Sequence, residues 1–189
     1  MPLAPFLRLF DALSVRKRRD DLPTIRALVS SRTDLWLLDV GGGAGSATAR
    51  FAPSARDVVV LEPNDRKVRL GQSIQPTFRF VKGIAENLPF DDESFDVVVG
   101  VVSFHHVSDP KAALREFRRV LRSSGRVVLH ELYPAHHSSA TPLLLGKWLH
   151  RSKPTLFTPD QLRDQLVSTG LREVSTRDGV RGYFVWGAK

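Results

Sequence analysis

Glycines that directly follow an apolar run form the first candidate site for chemistry. They lie in residues 36–51, WLLDVGGGAGSATARF, where a strand-like segment is separated from a helix-like one by Gly41, Gly42, Gly43 and Gly45. Glycine lets the backbone approach a ligand closely and adopt positive φ angles. A strand that turns through glycine into a helix is typical of a nucleotide-cofactor site. We expect such a site here.

Two acidic residues indicate which kind of cofactor would bind. The dinucleotide pattern G-x-G-x-x-G/A needs a third small residue where this chain has Ser46 or Thr48. Asp39 places a negative charge at the end of the first predicted strand, which suits an ammonium or a sulfonium but not a pyrophosphate. Glu62 ends the next predicted strand, where a carboxylate accepts hydrogen bonds from ribose hydroxyls in either cofactor class.

A second candidate site follows the fourth predicted strand, which ends at Val101. His105 and His106 lie just beyond it, at the edge where open α/β sheets bind ligands. Either histidine can act as a general base if an acceptor must lose a proton, or can hydrogen-bond the loop in place. Glu131, after the fifth predicted strand, is a further candidate for proton transfer or for an ion pair with a surface arginine.

The elements that position these residues alternate along the chain. Apolar runs predict strands at residues 35–40, 57–61, 78–82, 95–101 and 126–130, and helices at 46–51, 66–73 and 110–121, with a turn at 123–125. This order predicts a mostly parallel sheet covered by helices on both faces. Residues 171–176 and 183–186 predict a C-terminal antiparallel hairpin, which brings the sheet to seven strands.

The length of 189 residues predicts a single domain, 1–189. Helical spacing at residues 3–13 and 22–32 leads us to interpret residues 1–34 as an N-terminal helical lid. Proline-rich residues 133–156 interrupt the pattern and are interpreted as an insertion over the substrate pocket. Thr158 and Pro159 predict the start of a further helix, through Val167.

Composition limits the other classes of function. The chain has no cysteine, which excludes disulfides, thiolate metal sites and cysteine nucleophiles, and we expect no metal site. No apolar stretch approaches the roughly 20 residues of a membrane span, and no signal peptide is visible, so we expect a cytoplasmic protein without stable membrane insertion. The net charge of +8 lies mainly on the flanks. The basic run at 16–19 is interpreted as a solvated helix face, although contact with nucleic-acid phosphate stays open.

Five sequence blocks resemble those of class I S-adenosylmethionine-dependent methyltransferases. They are LLDVGGGAG, VLEPN, GIAENLPFDDESFDVVVG, FHHVSDPKAALREFRRVL and SSGRVVLHE, in order and at the usual spacing. The likeness covers residues 35–135 well and 155–189 loosely, and is nearest to the small-molecule branch that includes the ubiquinone/menaquinone C-methyltransferases. It implies a Rossmann-like fold and S-adenosylmethionine as the cofactor.

The resemblance implies roles for the strand-end residues. Asp39 and the loop of residues 41–45 would hold the methionine moiety, and Glu62 would hold the ribose hydroxyls. Pro63 and Asn64 would flank the adenine.

The resemblance also marks one departure. Relatives commonly place an aspartate against the adenine amino group where this chain has Ile84. The contact would then come from the Ala85 amide, from Glu86 or from packing, and Val101 would belong to the same cofactor site. His106 matches a position that the family often fills with histidine.

The chemistry of methyl transfer sets few demands on the protein. It is an in-line displacement with a neutral leaving group, so the site must mainly align the reactants and exclude water. Methyltransferases that use a cysteine are excluded, and residues 100–103 lack the motifs of exocyclic-amine and ribose 2′-O methyltransferases. We expect a small or medium organic acceptor. An RNA or protein methyltransferase that uses the basic flanks, or a non-catalytic cofactor-binding module, stays open.

Overall fold

The computed structural model describes residues 4–29, 34–52, 55–134 and 154–189. Within these ranges helices and strands alternate through most of the chain. The helices are α1 (Ala4–Arg18), α2 (Leu22–Val29), α3 (Thr48–Phe51), α4 (Asp65–Ile74), α5 (Pro110–Val120) and α6 (Pro159–Ser168). The strands are β1 (Trp36–Val40), β2 (Asp57–Leu61), β3 (Arg79–Val81), β4 (Phe95–Val101), β5 (Leu121–Glu131), β6 (Arg172–Asp178) and β7 (Tyr183–Ala188).

The seven strands form one mixed sheet in the order β3-β2-β1-β4-β5-β7-β6. The first five strands in that order are parallel, whereas β7 runs antiparallel to both β5 and β6. This confirms the predicted mostly parallel, Rossmann-like sheet with a C-terminal antiparallel hairpin. The strand order reverses between β1 and β4, and open α/β sheets bind ligands at such a point, beyond the carboxyl ends of the strands.

Apolar residues cover both faces of the central strands because helices pack on each side. On one face Leu38 and Val98 contact a layer that includes Leu114 of α5 and Leu162 of α6. The opposite face is packed against α1, α2 and α3, and its buried members include Val15, Ile25, Leu37, Phe51 and Val97. Continuous apolar strands such as β4 are expected where both faces are buried.

Side-chain caps determine where α4 and α6 begin. The Asn64 side chain accepts hydrogen bonds from the backbone N–H groups of Arg66 and Lys67, so α4 begins directly after the end of β2. Thr158 and Gln161 form a capping box at the start of α6, as the threonine–proline pair predicts.

Two predicted boundaries differ from the structure by five residues, whereas most others differ by one or two. α1 continues to Arg18, beyond the predicted end at residue 13, because Val15 is buried against the sheet. β5 begins at Leu121, so the prediction of a turn at residues 123–125 is wrong. The pairing is irregular there, because Leu121 pairs with Phe95 whereas Arg126 pairs with Val97, so β5 advances five residues while β4 advances two.

Part of the predicted organisation lies outside the described residues. Of the interpreted insertion at 133–156, residues 135–153 fall outside them, so the insertion over a substrate pocket stays a prediction, as does the single domain with a helical lid at 1–34. In the part of the chain that is described, no helix has the length and apolar character needed to cross a membrane.

Candidate functional site

The glycine turn joins the carboxyl ends of β1 and β2. The Gly41 N–H donates to the carbonyl of Leu61 over 2.7 Å, and Gly41 has a φ of 75°. A Cβ on Gly41 would lie 2.6 Å from Cβ of Ser103, and one on Gly42 would lie 2.3 Å from a carboxylate oxygen of Asp39. Both contacts are too short for any residue but glycine, which explains the run of glycines.

Asp39 is a buried acid at the end of β1, and one of its two carboxylate oxygens is unused. Only 1% of the surface of Asp39 is exposed. Oδ2 accepts a hydrogen bond from the Thr48 hydroxyl at the start of α3, whereas Oδ1 has no hydrogen-bond partner within the described residues. Burial raises the pKa of Asp39 to about 6, against the lowering effects of the Thr48 hydrogen bond and the Arg18 charge, and Glu62 adds to the rise.

Glu62 fastens the glycine turn to the end of β2. Its Oε2 accepts from the Gly43 N–H at 3.2 Å and its Oε1 from the Asn64 N–H at 3.0 Å. Lys67 Nζ lies 3.7 Å from Oε2. A Cβ built on Gly43 would meet nothing within 4 Å, so the turn borders open space next to this carboxylate. Gly45 completes the turn by donating its N–H to the carbonyl oxygen of Gly42 over 3.0 Å.

The residues predicted around the adenine follow β2 and β3 and differ in accessibility. Pro63 is exposed, and Ile84 has 52% of its surface exposed. Ala85 is buried. The Glu86 carboxylate accepts hydrogen bonds from two backbone N–H groups just before α5, the shorter from Ser108 at 2.6 Å. The Glu86 side chain therefore supports a neighbouring loop, and Ile84 is the accessible side chain of the three consecutive residues.

The loop after β4 is held by Glu131, at the end of β5. Oε1 of Glu131 accepts from the N–H groups of Ser103 at 2.9 Å and Phe104 at 2.7 Å. Oε2 lies 2.6 Å from Nδ1 of His105. The Ser103 hydroxyl donates to the carbonyl of Val40 over 2.7 Å, so the loop is tied to β1 as well. Among the described residues, no arginine forms an ion pair with Glu131 within 4.0 Å, and its carboxylate bonds the loop instead.

The two predicted catalytic histidines lie together on a 3-10 turn, Phe104–His106. His105 is only 4% exposed, whereas His106 is partly exposed, and their ring centroids are 3.9 Å apart. Val101, the last residue of β4, is buried. Val102 after it has a φ of 52°, which is rare for a β-branched residue and is found where the backbone is strained near a site.

Comparison with known proteins places this architecture in one family. Residues 38–129 match the family described as a methyltransferase domain. The uncharacterized methyltransferase YcgJ of Bacillus subtilis is 32% identical over 154 residues, which cover 79% of this chain and 58% of that protein. The ubiquinone/menaquinone biosynthesis C-methyltransferase UbiE of Idiomarina loihiensis is 36% identical over 109 residues, 53% of this chain and 43% of that protein. The chain spans about half the length of the curated relatives that it matches.

Solved structures agree with this assignment. The crystal structure of YcgJ superimposes with a TM-score of 0.68 at 25% identity, covering 83% of this chain and 69% of that one. Residues 38–129 match the methyltransferase domain, and the chain is similar in sequence and fold to S-adenosylmethionine-dependent methyltransferases. The same fold is found in a putative methyltransferase from Haloferax volcanii, solved in complex with the activator Trm112. It has a TM-score of 0.81 at 16% identity and coverages of 98% and 95%.

The cofactor of this methyltransferase family is S-adenosylmethionine, and the residues present fit it. The methionine moiety carries a positively charged ammonium group and a sulfonium, and the unused Oδ1 of Asp39 is a buried acceptor that matches such a charge. Glu62 lies beside the open space at Gly43. The described residues contain no group of three or more His, Asp or Glu side chains that could hold a metal ion.

Two residues of the candidate site were missed by sequence reasoning. Thr48, in the first turn of α3, donates a hydrogen bond to Asp39. From the sequence, this position was considered only as the third small residue of a dinucleotide-binding motif. Arg18 was included in the solvated run, but it is partly buried and interacts electrostatically with Glu131 and Asp39. Burial lowers the pKa of Arg18, against the raising effect of these acids. Its spacing of three residues from buried Val15 was the available signal, since such residues share a helix face.

Proposed function

We propose that this methyltransferase transfers a methyl group from S-adenosylmethionine to a small or medium organic acceptor. The observation that carries the proposal is Asp39, a buried acid with an unused oxygen next to a glycine turn that opens into free space. When bound, S-adenosylmethionine supplies an electrophilic methyl group at this edge of the sheet. We predict that the protein acts in the cytoplasm.

The cofactor half of the site consists of the ends of β1 and β2 and the residues after β3. Asp39 would receive the ammonium group of the methionine moiety, and backbone groups of residues 41–45 would lie against it. Glu62 would accept hydrogen bonds from the ribose hydroxyls with the lone pairs that the Gly43 and Asn64 N–H groups leave available. Pro63 and residues 84–86 would border the adenine.

The loop half of the site consists of the ends of β4 and β5 with the 3-10 turn. His105 is buried and bonded to Glu131, so it would hold the loop that limits the acceptor space. His106 is the more accessible of the two histidines and would be the one to accept a proton, where the acceptor must lose one. The protein otherwise needs only to align the acceptor with the methyl group and to exclude water.

A small acceptor is supported by the names of the UbiE relatives, which are C-methyltransferases of ubiquinone and menaquinone biosynthesis. Among residues 36–134 the two halves of the site are built from buried and hydrogen-bonded acids rather than from a basic surface. An RNA acceptor would need several phosphate contacts with Lys and Arg.

Calorimetric titration tests the cofactor assignment first. We expect S-adenosylhomocysteine to bind in the micromolar range, about −8 kcal/mol, without comparable binding of NAD. In Glu62→Ala this binding should weaken by about 2–3 kcal/mol because charge-assisted hydrogen bonds are lost. Asp91→Ala, an exposed acid before β4, is the matched control and should bind as the wild type does. Tight NAD binding without S-adenosylhomocysteine binding would overturn the proposal.

Acceptor class is tested by the release of S-adenosylhomocysteine from S-adenosylmethionine with phenol, quinol and amine acceptors and with total RNA. Turnover with a small molecule that changes little with salt supports the proposal. Turnover on RNA alone, with affinity falling steeply as salt rises, would assign the enzyme to the RNA methyltransferases instead.

A further inference from the structure

The outer face of α1 differs in character from the face that packs on the domain. Val15 is buried in the layer formed with α2 and α3, and Asp11 and Ser14 are partly buried. Leu9 and Leu13 are 59% and 47% exposed. At about 100° of rotation per residue, the two leucines lie about 40° apart around the helix. They therefore form one apolar strip that faces away from the domain.

Cations border this apolar strip on both sides. Arg8, Arg16 and Lys17 are exposed, and at the same rotation per residue they lie within about 100° of Leu9 around the helix. None of the three forms an ion pair with another described residue. Asp11 is the only acid in the sequence of α1, and it lies about 200° from Leu9, on the side of the domain. The outer face of α1 is therefore apolar along its centre and positively charged along its borders.

A second exposed segment is tied to the end of this helix. The Asp21 carboxylate, three residues after α1, accepts hydrogen bonds from the N–H groups of Val180 at 2.7 Å and Arg181 at 3.2 Å. Val180 is 68% exposed, and Arg181 is exposed as well. Tyr183, which follows this turn, pairs with Glu131 at the end of β5. The turn thus lies beside the end of α1 at the carboxyl edge of the sheet and presents a further apolar residue next to a cation.

The combination of the two features indicates the kind of partner. Single exposed leucines are common on protein surfaces and need no partner. An apolar strip flanked by Lys and Arg, however, is typical of a helix that lies flat in a lipid interface. The stems of such cations lie along apolar surface while their charged ends stay at the headgroups. A nucleic acid would contact the cations through its phosphates, but it offers the leucines no apolar environment.

We propose that the outer face of α1 and the adjoining turn dock reversibly on anionic lipid bilayers. This docking surface consists of Arg8, Leu9, Leu13, Arg16, Lys17, Val180 and Arg181. Its apolar side chains enter the boundary between headgroups and acyl chains, and its cations contact the anionic headgroups. Because the turn and the end of α1 lie at the carboxyl edge of the sheet, docking brings the candidate site close to the bilayer. The inference goes beyond the proposed function and does not depend on the identity of the acceptor.

Co-sedimentation with lipid vesicles tests the proposal. We expect the wild type to bind vesicles of phosphatidylcholine with about one-third phosphatidylglycerol at least about tenfold more strongly than vesicles of phosphatidylcholine alone, and to bind more weakly as salt rises. The double variant Arg16→Gln/Lys17→Gln should lose about 10- to 30-fold in affinity, since each cation near an anionic surface contributes about fivefold. Leu9→Ser/Leu13→Ser should lose at least about tenfold, because two apolar side chains no longer enter the interface.

Matched variants elsewhere separate the docking surface from general effects of charge and hydrophobicity. Arg115→Gln/Arg118→Gln removes two exposed cations from α5, and Val167→Ser removes an exposed apolar side chain from α6. Both should bind anionic vesicles within about twofold of the wild type, because charges beyond a Debye length are screened. Melting temperatures establish that each variant folds, and either double variant of the docking surface carries the test if the other does not fold.

Three results would overturn the proposal. Equal losses in the control variants and in the docking-surface variants would assign the binding to net charge. Unchanged binding of Leu9→Ser/Leu13→Ser would mean that the protein adsorbs without inserting any leucine. A wild type that binds anionic and neutral vesicles alike, or neither, would exclude the bilayer as the partner. In that last case a dimer seen by sedimentation velocity, and lost in Leu9→Ser/Leu13→Ser, would assign the surface to a second copy of this chain.

Discussion

Two buried carboxylates occupy equivalent places at the ends of β1 and β5, the parallel strands on either side of β4, and are used in opposite ways. Glu131, in the loop half, accepts two backbone hydrogen bonds and lies 2.6 Å from His105 Nδ1. Asp39, in the cofactor half, accepts one hydrogen bond from Thr48 and leaves Oδ1 without a partner among the described residues. Both residues are almost fully buried, so exposure does not account for the difference.

The difference separates a carboxylate that supports the fold from one that is available to a ligand. A buried acid whose oxygens are satisfied by the chain stabilises the loop that it bonds, whereas one left unsatisfied carries a desolvation cost in the free protein. That cost is recovered when a positively charged ligand group arrives. The contrast predicts opposite effects on stability when each acid is replaced.

The largest effect is expected from Glu131→Ala. The substitution leaves the N–H groups of Ser103 and Phe104 and the Nδ1 of His105 without their acceptor, and buried groups that lose a charged partner cost about 3–5 kcal/mol in total. We expect this loss in the free energy of unfolding, measured by urea titration.

Glu131→Gln is the control, because its amide oxygen can still accept from Ser103 and Phe104. It should lose clearly less than the alanine variant, about 1.5–3 kcal/mol at most, the net value of one hydrogen bond with a charged partner. An alanine variant as stable as the wild type would mean that the loop does not depend on this carboxylate.

Asp39→Asn should increase the free energy of unfolding at neutral pH, whereas Glu131→Ala decreases it. The pKa of Asp39 is raised from 3.8 to about 6, so the folded state holds this proton more tightly than the unfolded state. The stabilisation is complete below about pH 4 and is lost as the pH rises through about 6. The shift of about two pKa units corresponds to about 3 kcal/mol. We therefore expect the stability difference, variant minus wild type, to increase by about 2–3 kcal/mol between pH 4 and pH 8.

The stability difference between a variant and the wild type isolates the contribution of Asp39, because the other acids contribute equally to both proteins. Asp21, for example, has a lowered pKa although burial raises it, because the nearby His130 ring and the Val180 N–H outweigh burial, and it contributes the reverse pH trend to every variant alike. Asp57→Asn, with an exposed side chain, is the matched control and should show no pH-dependent gain. A flat difference for Asp39→Asn would mean that Asp39 is ionised as easily as a solvated acid.

The sequence was sufficient for the fold and for the residues that act locally. The continuous apolar run of β4 predicted its observed bounds, because a strand buried on both faces has a distinctive composition. The strand-end acids Asp39 and Glu62 followed from their places beside the glycine turn. The pairing of Glu131 with His105 could not be predicted in this way. The two residues are 26 positions apart in the chain and meet only because β4 and β5 are adjacent in the sheet. Arg18 resembled its solvated neighbours, since local charge does not reveal a distant buried acid.

Ligand binding should depend on pH through the same unused carboxylate. An ammonium group binds the ionised form of Asp39, and with a pKa of about 6 that form falls from most of the population at pH 7 to a small part at pH 5. We expect S-adenosylhomocysteine affinity, measured by calorimetry, to weaken about tenfold over this range. In Asp39→Asn the affinity should be lower at pH 7 and nearly independent of pH. An equally steep pH dependence in Asp39→Asn would assign the titration to another group.

The smallest effect is expected at Ile84, where the family resemblance implies an acid that this chain lacks. A carboxylate at this position would accept a hydrogen bond from the adenine amino group, worth about 0.5–1.5 kcal/mol. Ile84 is 52% exposed, so a charged side chain there stays in contact with water and pays little desolvation, unlike Asp39. Ile84→Asp should therefore tighten S-adenosylhomocysteine binding by about 0.5–1 kcal/mol without changing the melting temperature.

Ile84→Ala separates the new hydrogen bond from the loss of the apolar side chain. It removes any packing of Ile84 on the adenine without adding an acceptor, so its affinity should not exceed that of the wild type. If Ile84→Asp binds more weakly than Ile84→Ala with the fold intact, the adenine amino group does not face this side chain. Its contacts would then come from the buried Ala85 backbone, because the Glu86 carboxylate already accepts from the N–H of Ser108.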